Sequence, residues 1–137
     1  ANLDGANLDG ANLDGANLCG ANLCGAKNLH PLYAARTSIV PESGAFDGWK
    51  MCARGILVHL RIPAEARRSN ATGRKCRAEY VRVLEVIGAD TGISIHDGKT
   101  RYTKGDVVVC DKWEENRWIE CGGGIHFYLT RIEAENN

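Results

Sequence analysis

Ala1-Asn2-Leu3-Asp4-Gly5 decides how this chain is read, because the phrase is repeated five times without a gap. It recurs unchanged through Gly15, then as Ala16-Asn17-Leu18-Cys19-Gly20 and Ala21-Asn22-Leu23-Cys24-Gly25. Leucine stands at 3, 8, 13, 18 and 23, with alanine two places before each. A five-residue period matches neither the helix nor the alternating strand. It does match a solenoid in which each unit forms one flat side and then turns a corner. Ala and Leu then point inward, Asn and Asp or Cys outward, and Gly relieves the crowded corner. The competing reading is a flexible Gly/Asn-rich leader. An unordered leader has no reason to place Leu at every fifth position.

These units resemble the pentapeptide-repeat family. That resemblance implies a right-handed quadrilateral β-helix, here over residues 1–33. The phase slips by one residue at Ala26-Lys27-Asn28-Leu29, and Pro31 ends the ladder because it has no N–H to extend it. The result is roughly one and a half coils, a stub shorter than about 15 Å. A repeat core that short must lean on the following domain, on a partner or second copy of the chain, or on further repeats upstream. The opening residue is already in phase, so upstream repeats are expected.

The chain has 137 residues, with 17 basic and 17 acidic side chains. This balance argues against a polybasic nucleic-acid binder and against an acidic DNA mimic. No apolar run is long enough to cross a membrane, and no charged-then-apolar leader is visible. Six cysteines occur without a C-x-x-C pair, which suits free thiols in a reducing compartment and hence a cytoplasmic setting.

Residues 34–48 read as a connector rich in turn formers, and residues 49–137 as a small β-rich α+β domain. Trp49 to Cys52 and Ile56 to Ile62 flank a hairpin turn. Pro63 to Arg68 reads as one or two helical turns with Pro at the first position. Lys75 to Ile87 reads as one long strand, with Val81 and Val83 on one face and Tyr80, Leu84 and Val86 on the other. His96-Asp97-Gly98-Lys99 is a hairpin tip. Asp106 to Cys110, Trp118 to Glu120 and Ile125 to Leu129 complete the strands, and Thr130-Arg-Ile-Glu133 opens a terminal helix with a capping box. The expected fold class is therefore mainly β, a β-helix stub followed by a domain whose strands can form a partly open barrel.

Chemistry concentrates in two places. Arg67, Arg68, Arg74, Lys75 and Arg77 surround Ser69-Asn70-Ala71-Thr72-Gly73 without an acidic residue among them. Such a loop can hold a phosphate, a carboxylate or a partner's acidic patch. A solvated loop balanced by Glu65, Glu79 and Glu85 is the alternative. No aromatic residue is interleaved for base stacking, so nucleic acid is not the expected partner. The second place is Cys121-Gly-Gly-Gly-Ile-His126. Cys121 or Cys76 with His126 could form an activated nucleophile if the side chains meet in space, and packing is the alternative. Cys52, Cys76, Cys110, Cys121, His59 and His126 lack the close spacing of a zinc site, so neither metal nor cofactor is expected.

Ile62-Pro-Ala-Glu-Ala-Arg-Arg-Ser69, Gly73-Arg-Lys-Cys-Arg77 and Gly124-Ile-His-Phe-Tyr128 with Glu133-Ala134 resemble a small domain of unknown function. It is similar to domains that follow pentapeptide repeats in bacteriophage and large-virus proteins. The resemblance implies a viral source and no particular activity. The leading expectation is a non-catalytic structural or interaction module, a stalk presenting a head that binds an anionic ligand or partner. An enzyme or ligand-sequestering protein with a Cys/His pocket is second. Inhibition of a DNA enzyme through the stalk is third, and it needs a longer acidic array than Asp4, Asp9 and Asp14 provide.

Overall fold

A computed structural model describes residues 38–119 and 122–137. The β-helix expected over residues 1–33 lies outside them. Among the described residues nine strands form three antiparallel sheets, none of which closes into a barrel, and a single 3-10 turn and one short α-helix accompany them.

The first sheet has the order β1-β2-β5-β8, built from β1 (Phe46–Met51), β2 (Leu57–Ile62), β5 (Tyr80–Ile87) and β8 (Val107–Val109). The hairpin between β1 and β2 forms where the alternation predicts it, with Met51 opposite Leu57 and Phe46 opposite Ile62. Its turn places two consecutive residues, Arg54 (φ 63°) and Gly55 (φ 71°), in the left-handed region. Glycine adopts that conformation freely, whereas Arg54 carries a cost of about 1 kcal/mol. Val58, Leu60 and Ile62 point into the core with no exposed surface, while Arg61 on the other face is exposed.

Pro63 to Arg68 is a turn, not the expected helix. Ala66 N–H donates to the Pro63 carbonyl at 3.1 Å and no helical ladder follows. The reason is Arg68. Its guanidinium takes the carbonyls of Pro63 (2.8 Å), Ala64 (3.1 Å) and Ala66 (3.0 Å), acceptors that a helix would need.

The long strand expected over Lys75 to Ile87 is broken at Glu79 into β4 (Cys76–Ala78) and β5. β4 belongs to a second sheet, ordered β3-β4-β9 with β3 (Arg68–Ser69) and β9 (Ile125–Phe127). Glu79 is the corner where the chain leaves one sheet for the other. Its N–H donates to Arg67 O at 2.8 Å and its carbonyl accepts from Cys110 N–H at 3.0 Å. A bulge in β5 then revises the expected faces. Leu60 pairs with Val83, but His59 pairs with Glu85, so Leu84 is the extra residue. Val86 consequently sits opposite Val58 and packs against the core, not on the face of Leu84.

β6 (Thr91–Ile93) and β7 (Arg101–Thr103) form the third sheet, joined by the predicted Asp-Gly tip. Asp97 Oδ1 accepts from the N–H groups of Lys99 and Thr100, both at 2.9 Å. Trp118 lies in a turn and not in the expected strand. The terminal helix α1 (Arg131–Glu135) starts as predicted, with Glu133 N–H donating to Thr130 Oγ1 at 3.4 Å. The Glu133 carboxylate also accepts from the Thr130 hydroxyl at 2.7 Å.

The two larger sheets meet where Trp49 and Tyr128 exchange backbone hydrogen bonds of 2.7 and 2.8 Å. The core between them includes Val58, Leu60, Ile62, Val81, Val83, Tyr102, Ile125 and Phe127. β1 begins three residues ahead of Trp49, and Val40 is already in the core.

Candidate functional site

The junction of β1 and β9 brings an unusual pair of side chains inside. Lys50 faces the same side of the hairpin as its partner Val58, because paired residues in an antiparallel ladder share a face. Only 9% of Lys50 is exposed. Its Nζ donates to the carbonyl of His126 at 2.9 Å and lies 5.8 Å from the centre of the Tyr102 ring. Among the described residues no carboxylate ion-pairs with this ammonium, although Asp97 in the same cleft acts on it from farther away. Burial holds the Lys50 pKa below its ordinary 10.5, and nearby Lys75 adds to the depression.

His126 is also 9% exposed, and its Nε2 is buried without a hydrogen-bond partner. Its ring makes an edge contact with His96, centroids 5.8 Å apart. Burial first, then Lys75 and Lys50, lowers its pKa from 6.5 to about 4. The imidazole is therefore neutral near pH 7. A buried neutral histidine must take up a proton when the domain unfolds in acid, so the unfolded chain binds more protons between about pH 4 and 6.5. Its stabilising effect is complete above pH 6.5 and falls by up to about 3 kcal/mol as the pH drops towards 4. His126→Gln should flatten that limb of a thermal-melt pH series. An unchanged slope between pH 6.5 and 4.5 would show that His126 is not the group responsible.

Around these residues lies a cleft of about 240 Å³, lined also by Ser94, Asp97, Thr100, Cys110 and Gly122 to Gly124. A second cavity of about 290 Å³ adjoins it, with Lys50, His96 and His126 in both walls and Lys75, Met51, Ile95 and Phe127 beyond them. The glycine run makes the near wall possible. A Cβ on Gly123 would stand 1.7 Å from the Lys112 carbonyl oxygen, so only glycine lets the 112–114 segment lie against it.

The fold divides the five basic residues expected to form one loop: Arg67 and Arg68 line one cleft with Arg117 and Trp113, whereas Arg74, Lys75 and Arg77 have other surroundings. Arg67 pairs with Glu79 at 2.6 Å and with Glu115. Arg68 binds backbone carbonyls and stacks over Phe46 at 5.0 Å. Arg74 makes a bidentate pair with Glu133 at 2.7 and 2.8 Å, which holds the Glu133 pKa down at about 2. Arg77 is 1% exposed and grips four carbonyls. Lys75 is the member of the five that lines a cavity with Lys50 and His126. The intervening segment is not a solvated loop: Asn70, Ala71 and Thr72 are buried, and Asn70 Oδ1 accepts from Ile39 N–H at 3.0 Å.

Cys76 and His126 do not form a dyad. Arg77 is the β4 residue opposite His126, so Cys76 projects to the other face, where it is fully buried in the core with Phe127. Cys121 lies outside the described residues. Cys110 does line the cleft, but burial and then Glu79 push its thiol pKa up, away from nucleophilic chemistry. His59 is stacked flat on Trp49, rings 4.0 Å apart, with Nε2 held 3.2 Å from Asp47. Among the described residues no three metal-binding side chains gather.

Lys50, His96 and Tyr102 are the members of the site that sequence reasoning passed over. A signal for Lys50 was present: alternation along the hairpin puts this lysine on the face of Val58 and Leu60. His96 needed the knowledge that its hairpin folds over β9.

No curated protein and no solved structure matches the chain. Residues 1–30 match the family of pentapeptide repeats. Residues 36–134 match the family of unknown function DUF5758, and with that match covering most of its length, the chain belongs to that family.

Proposed function

We propose that this chain is a non-catalytic binding module, a β-helical stalk whose β-rich head holds a small anion, or the acidic group of a partner, in the cleft at Lys50. One observation carries the reading: a lysine ammonium is buried against the His126 carbonyl in the wall of a cleft, and among the described residues no carboxylate ion-pairs with it. A buried charge without a counter-ion is costly, and an incoming anion removes that cost. The arginines first expected to bind the ligand serve other partners within the head, so the anion site moves from the 67–77 loop to the cleft. Lys75 is the residue common to both. The raised thiol pKa of Cys110 and the inward face of Cys76 favour binding over nucleophilic catalysis. A viral setting and a second copy or protein partner at the stalk end belong to the same proposal.

Titration of the full chain with inorganic phosphate, followed by amide chemical shifts, tests this. Shifts are expected at residues 50, 96 and 126. Lys50→Met should weaken binding by at least about tenfold. Its melting temperature should hold or rise, because an apolar side chain replaces a buried charge. Arg67→Ala, in an exposed ion pair, should bind as the parent does. Loss of binding in Arg67→Ala but not in Lys50→Met would return the site to the loop.

A further inference from the structure

The two cavities differ in character, and they share a wall that carries the Lys50 ammonium and two imidazoles. In the first, Ser94 offers a hydroxyl, while the Thr100 hydroxyl donates to Asp97, which also accepts from the N–H groups of Lys99 and Thr100. In the second, Met51, Ile95 and Phe127 offer apolar surface, and Ile95 is 63% exposed. Lys50, His96 and His126 belong to both. A carboxylate or a phosphate monoester ends a molecule, so a ligand anchored by such a group at this wall extends into one cavity and leaves the other empty. A diester carries its charge in the middle, with a substituent on each side.

Resting on the reading of the cleft as an anion site, we propose that its ligand is a small phosphodiester. The phosphate lies at the Lys50–His96–His126 wall, a hydroxylated substituent occupies the cavity of Ser94 and Thr100, and an apolar or planar substituent covers Met51, Ile95 and Phe127. This chemistry is shared by dinucleotides and by the glycerophosphodiesters of lipid headgroups.

Calorimetric titration of the full chain with four probes decides the matter: inorganic phosphate, adenosine 5′-monophosphate, uridylyl-3′,5′-adenosine and glycerophosphoglycerol. One of the two diesters is expected to bind at least about tenfold tighter than the monoester, and which one does so identifies the source. Ile95→Ser, at an exposed position that folding does not depend on, should shrink the diester's advantage and leave inorganic phosphate unchanged. If phosphate and monoester bind through Lys50 but neither diester binds better, the diester assignment falls and the anion site stands. If none of the four binds, both fall.

Discussion

Arg77→Lys is expected to destabilise the head by about 3–5 kcal/mol, a large part of what holds a domain of this size together. The guanidinium donates to Ile119 O (2.9 Å), Glu114 O (2.8 Å), Gly123 O (3.0 Å) and Asn116 O (2.7 Å), and lies 4.5 Å from the Trp113 ring centre. These carbonyls belong to a segment without regular structure, so Arg77 does there what a strand ladder does elsewhere. Lysine keeps the charge but not the planar fork of donors, so it cannot clasp four carbonyls at once: Glu114 O loses this donor, while Gly123 O, Asn116 O and Ile119 O each keep only a backbone N–H. The conservative change should therefore be almost as damaging as Arg77→Ala. Urea unfolding followed by tryptophan fluorescence measures the effect. A loss below about 1 kcal/mol for Arg77→Lys would mean that the segment holds itself in place without the clasp.

Gly123→Ala should produce a loss of similar size by a different route. Its Cβ would meet the Lys112 carbonyl oxygen at 1.7 Å, and the obstruction is backbone, which cannot swing aside. The same substitution at Gly122 meets Glu114 Cβ and Cγ at 2.9 Å and Ile119 Cγ2 at 3.0 Å, a milder overlap that a small shift of the 114 segment relieves. The expected order is about 3 kcal/mol or more for Gly123→Ala and about 1 kcal/mol for Gly122→Ala. Equal losses at the two positions would show that the fit against Lys112 is not the cause. Because Gly123 also supplies a carbonyl to Arg77, the double variant should lose less than the two single losses combined. Both substitutions should weaken phosphate binding as well, since this glycine run walls the cleft.

Local rules worked wherever a short segment decided its own conformation. The β1–β2 hairpin, the Asp97-Gly98 tip and the Thr130 cap each follow from a few adjacent residues, and each formed at the expected place. Expectations failed where a distant group intervened. Arg68 took the carbonyls that a helix after Pro63 would have used, and Glu79 turned one apparent strand into two strands of different sheets. The bulge at Leu84 moved Val86 to the other face, an outcome that alternation cannot foresee.

The candidate site divides in the same way. The sequence singled out His126 as a candidate by its place after a glycine run, and Lys75 by its place in a basic stretch. What joins them to Lys50 and His96 is the β1–β9 contact at Trp49 and Tyr128 and the folding of the 94–100 tip over β9. The four arginines show the converse: adjacency in sequence suggested one cluster, yet their long side chains reach partners in different directions. By itself the sequence determined the five-residue repeat, the β-rich head behind it, the turns and the terminal cap, because period, glycine placement and capping act over a few residues. Tertiary structure alone decided where the positive charge is concentrated. Burial depends on which strands pack together, and only that packing sets one lysine into the cleft wall, largely covered and ion-paired with no carboxylate among the described residues.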